Sequence, residues 1–529
     1  MSDFEYSKEQ KDIFEQAEKG VFNMIVQAVA GAGKTTTLVE CANRIDKSHK
    51  ILILAHNRST RDTLKQRIGQ RDNIKIYTLH GLAWRMFTEH FEFEPKIDDD
   101  KYRKYVNANI SELGGEEYLS LNKSLKATYK STVFDLINKA RHNLKQSEKE
   151  IKKMATKKYG ITNIANEFEC VAKILKWGES VTEVVDYQDL LWFPSEYGYF
   201  TKKYVADIIM LDEAQDASIA QQDIISRCFK RNTRLFAFGD RDQTINSWCG
   251  SDTDSFEHLQ DPTTFRRDAV ELPLTTNYRC GKKIIEYAKK YTDNNIHAKD
   301  DAIDGTVNFD VSITDISNND MVLCRNIAPL MRLYRQLVSN GQKAYFISEE
   351  LGKNIILATD CTDSDSVDGM ILEMKNRLID LWCQIQEINE EDERESANDK
   401  RLVSLLDTIK TMESLPKTVS NRYELELFIK DVFKDETDDG IMLSTIHRAK
   451  GMEADNVFVL CPSLIPSRFA RLDWEIEEEQ HLLYVMSTRP KISLNFISEK
   501  EFNANQYGID SESIYNELKK IKKEINYEV

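Results

Sequence analysis

Short apolar runs alternate with amphipathic stretches at the start of the chain. Runs at 24–26, 51–54 and 74–77 read as strands, and 8–18, 35–45 and 59–68 repeat apolar residues at helical spacing. This alternation predicts a parallel sheet. Residues 84–185 lose the strand runs and become long, charged and helical, which reads as an insertion. Strands return at 208–211 and 235–238, then at 307–309 and 321–323. A second helical block, 353–439, precedes strands at 441–443, 457–460 and 492–496. The expected fold class is α/β: two parallel-sheet cores, each interrupted by a mainly helical insert. The first core takes 1–83 and 186–268, with 84–185 as its insert. The second takes 269–352 and 440–500, with 353–439 as its insert. Residues 501–529 form a tail with a surface helix at 511–525.

Composition narrows the setting. A chain of 529 residues is too long for one core. Its nine cysteines are scattered without a C-x-x-C pair, so no zinc site or disulfide framework is suggested, and a reducing compartment fits. No basic-then-apolar leader opens the chain, and no uninterrupted apolar stretch could span a bilayer. The expectation is an intracellular, cytoplasmic protein with no membrane partner.

Charge is unevenly spread. The net −16 argues against a simple polyanion binder, but 351–440 alone holds 22 Asp/Glu against 11 Lys/Arg. By contrast, 139–158 carries eight Lys/Arg against Glu148 and Glu150. Nucleic-acid affinity follows local positive charge rather than the sum. By itself such a basic run is a solvated helical face. The stretch 388–400, rich in Glu and Asp, reads as an exposed or mobile connection.

The chemistry begins at 28–35, Ala-Val-Ala-Gly-Ala-Gly-Lys-Thr, between an apolar strand and a helix start. Strand, small-residue loop and helix wrap backbone N–H groups around phosphates, with Lys34 as point charge and Thr35 as a Mg²⁺ ligand. Ala28 stands where the usual pattern has Gly. After the strand at 208–211 comes Asp212-Glu213-Ala214-Gln215-Asp216. A carboxylate at a strand's end can hold Mg²⁺ opposite Thr35, and its neighbour can orient or deprotonate the attacking water. Asp212 is assigned to the metal and Glu213 to the water.

Together with strings in fixed order from residue 4 to about 497, this resembles the UvrD/Rep/PcrA group of superfamily 1A DNA helicases. The resemblance implies two RecA-like cores with the ATP site between them. In Tyr6-Ser7-Lys8-Glu9-Gln10 it implies that Gln10 reads adenine; the phosphate loop is Ala30, Gly31, Ala32, Gly33, Lys34, Thr35 and Thr36. In Gly239–Trp248 it implies that Gln243 feels the γ-phosphate and that Trp248 stacks on a base, each such stack being worth roughly 1–3 kcal/mol. In Asn277-Tyr278-Arg279 it implies that Tyr278 stacks on adenine and Arg279 reaches the γ-phosphate, with Arg489 of Tyr484–Arg489 as the second finger. In Leu443–Glu453 it implies Glu453 on the ribose and Thr445 and His447 on the nucleic-acid backbone. Arg448 there replaces a residue that is usually small. Ala55–Arg58 and Thr78–Gly81 resemble strand-contacting motifs, which offer Asn57, Thr78 and His80.

The function implied is an ATP- and Mg²⁺-dependent helicase or translocase on single-stranded DNA and tailed duplexes, moving 3′ to 5′. A translocase that strips proteins and unwinds poorly is the alternative, since F-box DNA helicases resemble this chain too. A non-catalytic interaction protein is a third reading. The basic insert gains DNA as a partner, while the short acidic insert is assigned to regulation or a protein partner.

Overall fold

The computed structural model describes residues 5–199, 201–246, 250, 254–360, 362–389, 392–435 and 439–525. The chain divides into two compact units, one of 1–120 and 129–278, the other of 121–128 and 279–529.

The first unit is built on six parallel strands: β1 (Asn23–Ala28), β2 (Ile51–Ala55), β3 (Ile74–Thr78), β4 (Ile208–Asp212), β5 (Arg234–Gly239) and β6 (Ala269–Leu274). Their order is β3-β2-β4-β5-β1-β6, and every pairing is parallel. Every residue of β1, β2 and β4 is buried, as expected of strands covered by helices on both faces. Polar caps set the helix starts at the strand ends. Asn57 opens Arg58–Ile68, Thr78 opens Leu79–Phe91, and Ser7 with Gln10 forms a capping box on Lys8–Lys19.

One boundary is corrected. Residues 269–278, expected to open the second core, complete the first sheet: Val26 pairs with Leu272 and Ala28 with Leu274 along β6. β6 is an edge strand, which is where a sheet tolerates the missing N–H of Pro273. Tyr278 therefore belongs to the first unit, and the main segment of the second starts at Arg279.

The first insert is helical as expected, with Lys101–Ser120, Lys123–His142, Glu148–Lys158 and Glu167–Ser180. Its basic run is not one surface. Arg141 is buried and donates from Nη1 to Asp186 Oδ1 at 2.7 Å and Asp189 Oδ1 at 2.8 Å. Lys101 Nζ donates to Asp189 Oδ2 at 2.6 Å, and Tyr102 Oη to Asp189 Oδ1 at 2.7 Å. Lys139 is buried against Asp135, and Lys158 donates to Asn143. The exposed positive face consists of Lys149, Lys152, Lys153 and Lys157 on one helix.

The second unit carries β7 (Thr306–Val311), β8 (Met321–Cys324), β9 (Ala344–Ile347), β10 (Phe433–Lys434), β11 (Ile441–Thr445), β12 (Ala454–Val459) and β13 (Pro490–Ile497). These seven parallel strands run in the order β7-β13-β12-β8-β11-β9-β10. The acidic insert forms helices Glu349–Thr359, Val367–Asn389, Lys400–Glu413 and Arg422–Val432. Met370, Trp382, Leu402 and Leu425 on them share one apolar core with Val322, Phe346 and Leu443 of the sheet. In the 388–400 connection, residues 392–395 and 400 are exposed, as expected, while Ser396 and Ala397 are buried and Trp382 Nε1 donates to Glu393 O at 3.1 Å and Ser396 Oγ at 2.9 Å. The tail helix Ser511–Glu524 buries Ile514, Leu518 and Ile521 and is clipped by Lys410–Glu517 and Lys375–Glu524, both at 3.0 Å. Among the described residues, no helix is long and apolar enough to cross a membrane.

Candidate functional site

The phosphate loop leaves β1 and turns into helix Lys34–Arg44 through Gly33, whose φ of 76° is left-handed backbone that glycine adopts without steric cost. Neighbours pin the loop. Asn277 Nδ2 donates to Ala30 O at 2.6 Å, Tyr278 N–H to Gly31 O at 3.0 Å, and Val29 N–H to Leu274 O at 3.0 Å. The exposed Tyr278 ring is thus held beside the loop from its own unit. Gln10 is buried; its Oε1 accepts from Ser7 N–H, and its Nε2 donates to Thr37 Oγ1 at 3.0 Å. Thr36 Oγ1 accepts from Arg67 Nη2 at 3.0 Å, and Thr35 is half-buried on the same first turn.

Lys34 Nζ lies 2.5 Å from Glu213 Oε2. Burial alone would lower the Lys34 pKa, but Glu213, Asp212 and Asp240 outweigh it and raise the value, so the ammonium is charged. Glu213 itself has φ 52°, an uncommon left-handed conformation for a non-glycine and one concentrated at functional sites. Asp212 is buried at the end of β4, and its Oδ1 has no hydrogen-bond partner among the described residues. Burial, then the neighbouring Glu213, push its pKa up to about 6. A buried carboxylate oxygen without a protein donor, beside a phosphate loop, is the oxygen donor that Mg²⁺ or its water takes, so the residues present fit that ion.

A polar chain extends from this pair. Gln215 Nε2 donates to Glu213 Oε2 at 2.7 Å, and its Oε1 accepts from Asp240 N–H at 3.1 Å. Asp240 in turn accepts from Gln27 Nε2 at 3.0 Å and from Gln243 Nε2 at 2.7 Å. Burial, then Asp242, raise Asp240 to about 7. A Cβ at Gly239 would run into Gln215 Oε1 and the Phe256 ring, so this crossing needs glycine. Gln27, Gln215, Asp240 and Asn277 were not singled out in the sequence reading. Gln215, Asp240 and Asn277 stand inside the strings that carried it, and their polar character at strand ends was the available signal.

The expected strand-contacting residues of the first unit lie near its strand ends. Asn57 is exposed and its Oδ1 caps Thr60 N–H at 2.8 Å; Thr78 Oγ1 accepts from Gly81 N–H at 3.0 Å. His80 meets Tyr187 edge to face, and burial, then His56, lower its pKa to about 4, so the imidazole is neutral. Trp248 lies outside the described residues.

In the second unit, Glu453 gathers two cations: Arg279 Nε at 2.7 Å and Lys491 Nζ at 2.8 Å. Burial would raise its pKa, but the cations outweigh this and hold it below the usual carboxylate range. Arg489 is buried; Nε donates to Val485 O at 2.9 Å, Nη1 to Met452 O at 3.1 Å and Nη2 to Thr488 Oγ1 at 3.0 Å. Both arginines are therefore held at the 452–453 turn. Thr445 ends β11, buried, and His447 follows; burial, then Arg325, lower His447 to about 4. Arg325 is occupied by Glu479.

The UvrD/REP helicase N-terminal domain matches residues 7–264, and the UvrD-like helicase C-terminal domain matches 370–501. A "Probable DNA helicase II homolog" of Mycoplasma pneumoniae is 26% identical over 311 residues, covering 54% of this chain and 42% of that protein. "F-box DNA helicase protein 1" of Schizosaccharomyces pombe is 24% identical over 508 residues, covering 88% and 54%. "ATP-dependent DNA helicase PcrA" of Bacillus subtilis is 24% identical over 307 residues, covering 52% and 38%. The chain spans about half the length of these curated relatives or less.

Proposed function

Because the chain belongs to the UvrD-like helicase family, we propose that it is an ATP-driven motor on single-stranded DNA that couples nucleotide hydrolysis to 3′-to-5′ movement and strand separation. The observation that carries this reading is the Lys34–Glu213 pair beside the orphaned Asp212 oxygen. On this reading the loop amides of 30–33 and Lys34 receive the ATP phosphates, and Gln10 and Tyr278 hold the base. Glu213 releases Lys34 to the phosphates and orients the attacking water. Asp212 and Thr35 would hold Mg²⁺, which supplies charge neutralisation on the phosphate oxygens. Gln243 senses the γ-phosphate through Asp240. Arg279 and Arg489 supply the permanent charges that suit the transition state, and Glu453 accepts from the ribose. Asn57, Thr78, His80, Trp248, Thr445 and His447 are the proposed strand contacts, with exposed Lys149, Lys152, Lys153 and Lys157 adding phosphate attraction.

The test is ATP turnover with and without single-stranded DNA, beside strand separation of duplexes bearing only a 3′ or only a 5′ tail. DNA-stimulated turnover lost in Lys34→Ala, with unwinding from the 3′ tail, is expected. Unwinding solely from the 5′ tail would overturn the direction, and absent DNA stimulation would overturn the motor.

A second reading is a translocase that displaces bound proteins and unwinds duplex weakly. It is supported by the acidic second insert, whose surface repels a duplex and whose helices share the core of the sheet. Removal of a protein roadblock without release of the complementary strand distinguishes it.

A further inference from the structure

Arg448 directly follows His447 in the turn that leaves β11, and its Nη1 lies 2.7 Å from Glu350 Oε2. Glu350 stands in the first turn of helix Glu349–Thr359, where the helix dipole favours a carboxylate. The side chains are unequally enclosed: Arg448 is 29% exposed and Glu350 62%. A pair so open to water is weakly held. A phosphodiester oxygen offers the guanidinium charge-assisted hydrogen bonds of the same geometry. His447 beside it is neutral, so of these two adjacent residues Arg448 alone brings charge.

We propose that Arg448 is a phosphate contact for single-stranded DNA and that Glu350 is its built-in competitor, occupying the guanidinium until a strand displaces it. The proposal rests on the reading of Thr445 and His447 as strand contacts. It gives the helix leading into the acidic insert a direct part in strand loading: the carboxylate in its first turn sets how readily the turn after β11 accepts a phosphate. The charge at 448 is thereby available on demand rather than permanently displayed.

The experiment measures binding of a labelled oligothymidylate by fluorescence anisotropy across a salt series, with thermal unfolding of each variant as the folding control. Arg448→Gln removes one phosphate contact. The slope of log affinity against log salt is expected to fall by about 0.7, which amounts to roughly fivefold weaker binding near 0.1 M salt. Arg448→Lys keeps the charge and the slope. Glu350→Gln is expected to tighten binding by up to about fivefold, and to have no effect in the Arg448→Gln background. If the wild-type chain shows no salt-dependent binding, the motor reading itself fails. If wild type binds but Arg448→Gln keeps the full slope, the proposal is overturned while that reading stands. Equal effects of Glu350→Gln in both backgrounds would mean simple charge repulsion and would overturn the competitor role.

Discussion

Gln215 spans two strand ends with one amide: its Nε2 donates to Glu213 Oε2 at 2.7 Å, and its Oε1 accepts from the Asp240 N–H. The phosphate-loop lysine and Gln243 are thereby joined through Glu213, Gln215 and Asp240 without a break. Such a chain is a geometric fact; coupling along it is a matter for measurement.

Replacing Gln215 by Ala removes the bridge while leaving Lys34 and Glu213 in place. DNA-stimulated kcat is expected to fall by up to about 10²-fold from misplacement of Glu213, the proposed water-orienting group, with the KM for ATP little changed. A double-mutant cycle with Gln243→Ala, read by ATP turnover, should be strongly non-additive. Additive losses would break the link.

Asp212 sets activity against stability. Its folded pKa, about 6, lies above the unfolded value near 3.8. The native state therefore binds this proton more tightly, and the associated stability is complete below the unfolded pKa and is lost as pH rises through about 6. Above that, the carboxylate is ionised and free to take the proposed Mg²⁺, so the affinity of the nucleotide-free protein for Mg²⁺ should fall as pH drops below about 6. Asp212→Asn is expected to abolish turnover yet stabilise the fold near pH 8, on the order of 2–4 kcal/mol. Near pH 4 the gain should vanish. Thermal unfolding at the two pH values checks this.

Asp189 is the hub for two buried cations and a phenol. Asp189→Ala leaves Arg141 and Lys101 underpaired in the interior, at a cost of about 3–5 kcal/mol. Urea unfolding followed by tryptophan fluorescence should show the midpoint falling accordingly, with a smaller drop for Asp189→Asn.

Asn57 caps a helix and is a proposed strand contact. Asp caps as well as Asn, so Asn57→Asp should keep the melting temperature while weakening strand binding through repulsion. Asn57→Ala should cost about 1 kcal/mol of stability. Melting curves set beside anisotropy titrations separate the duties.

Local patterns carried most of what the sequence revealed. Strand, glycine turn and helix at 24–45 lie within one short segment, and Asp212 is the last residue of its strand, so both were readable from neighbours alone. Long-range pairings were not. Arg141 finds Asp186 and Asp189 some 45 residues later; nothing in the charge run 139–158 distinguishes it from the lysines that face water. The start of the second core was misplaced because Leu272-Pro273-Leu274 reads equally well as the first strand of a new sheet or as the edge of an old one. Only the register against Val26 and Ala28 decides between them. The packing of the acidic insert was illegible for another reason. Its charge dominates the composition, whereas the side chains that fix its position, Met370, Trp382, Leu402 and Leu425, are spaced along helices and leave little mark on the average.

That shared core has a practical consequence. Helices within 353–439 resemble a removable cassette, but excising them would strip the cover from Phe346 and Leu443 and leave a wet, sticky sheet face. A shortened variant of the second unit would precipitate rather than run as a minimal engine. Whoever trims this protein must redesign that face first.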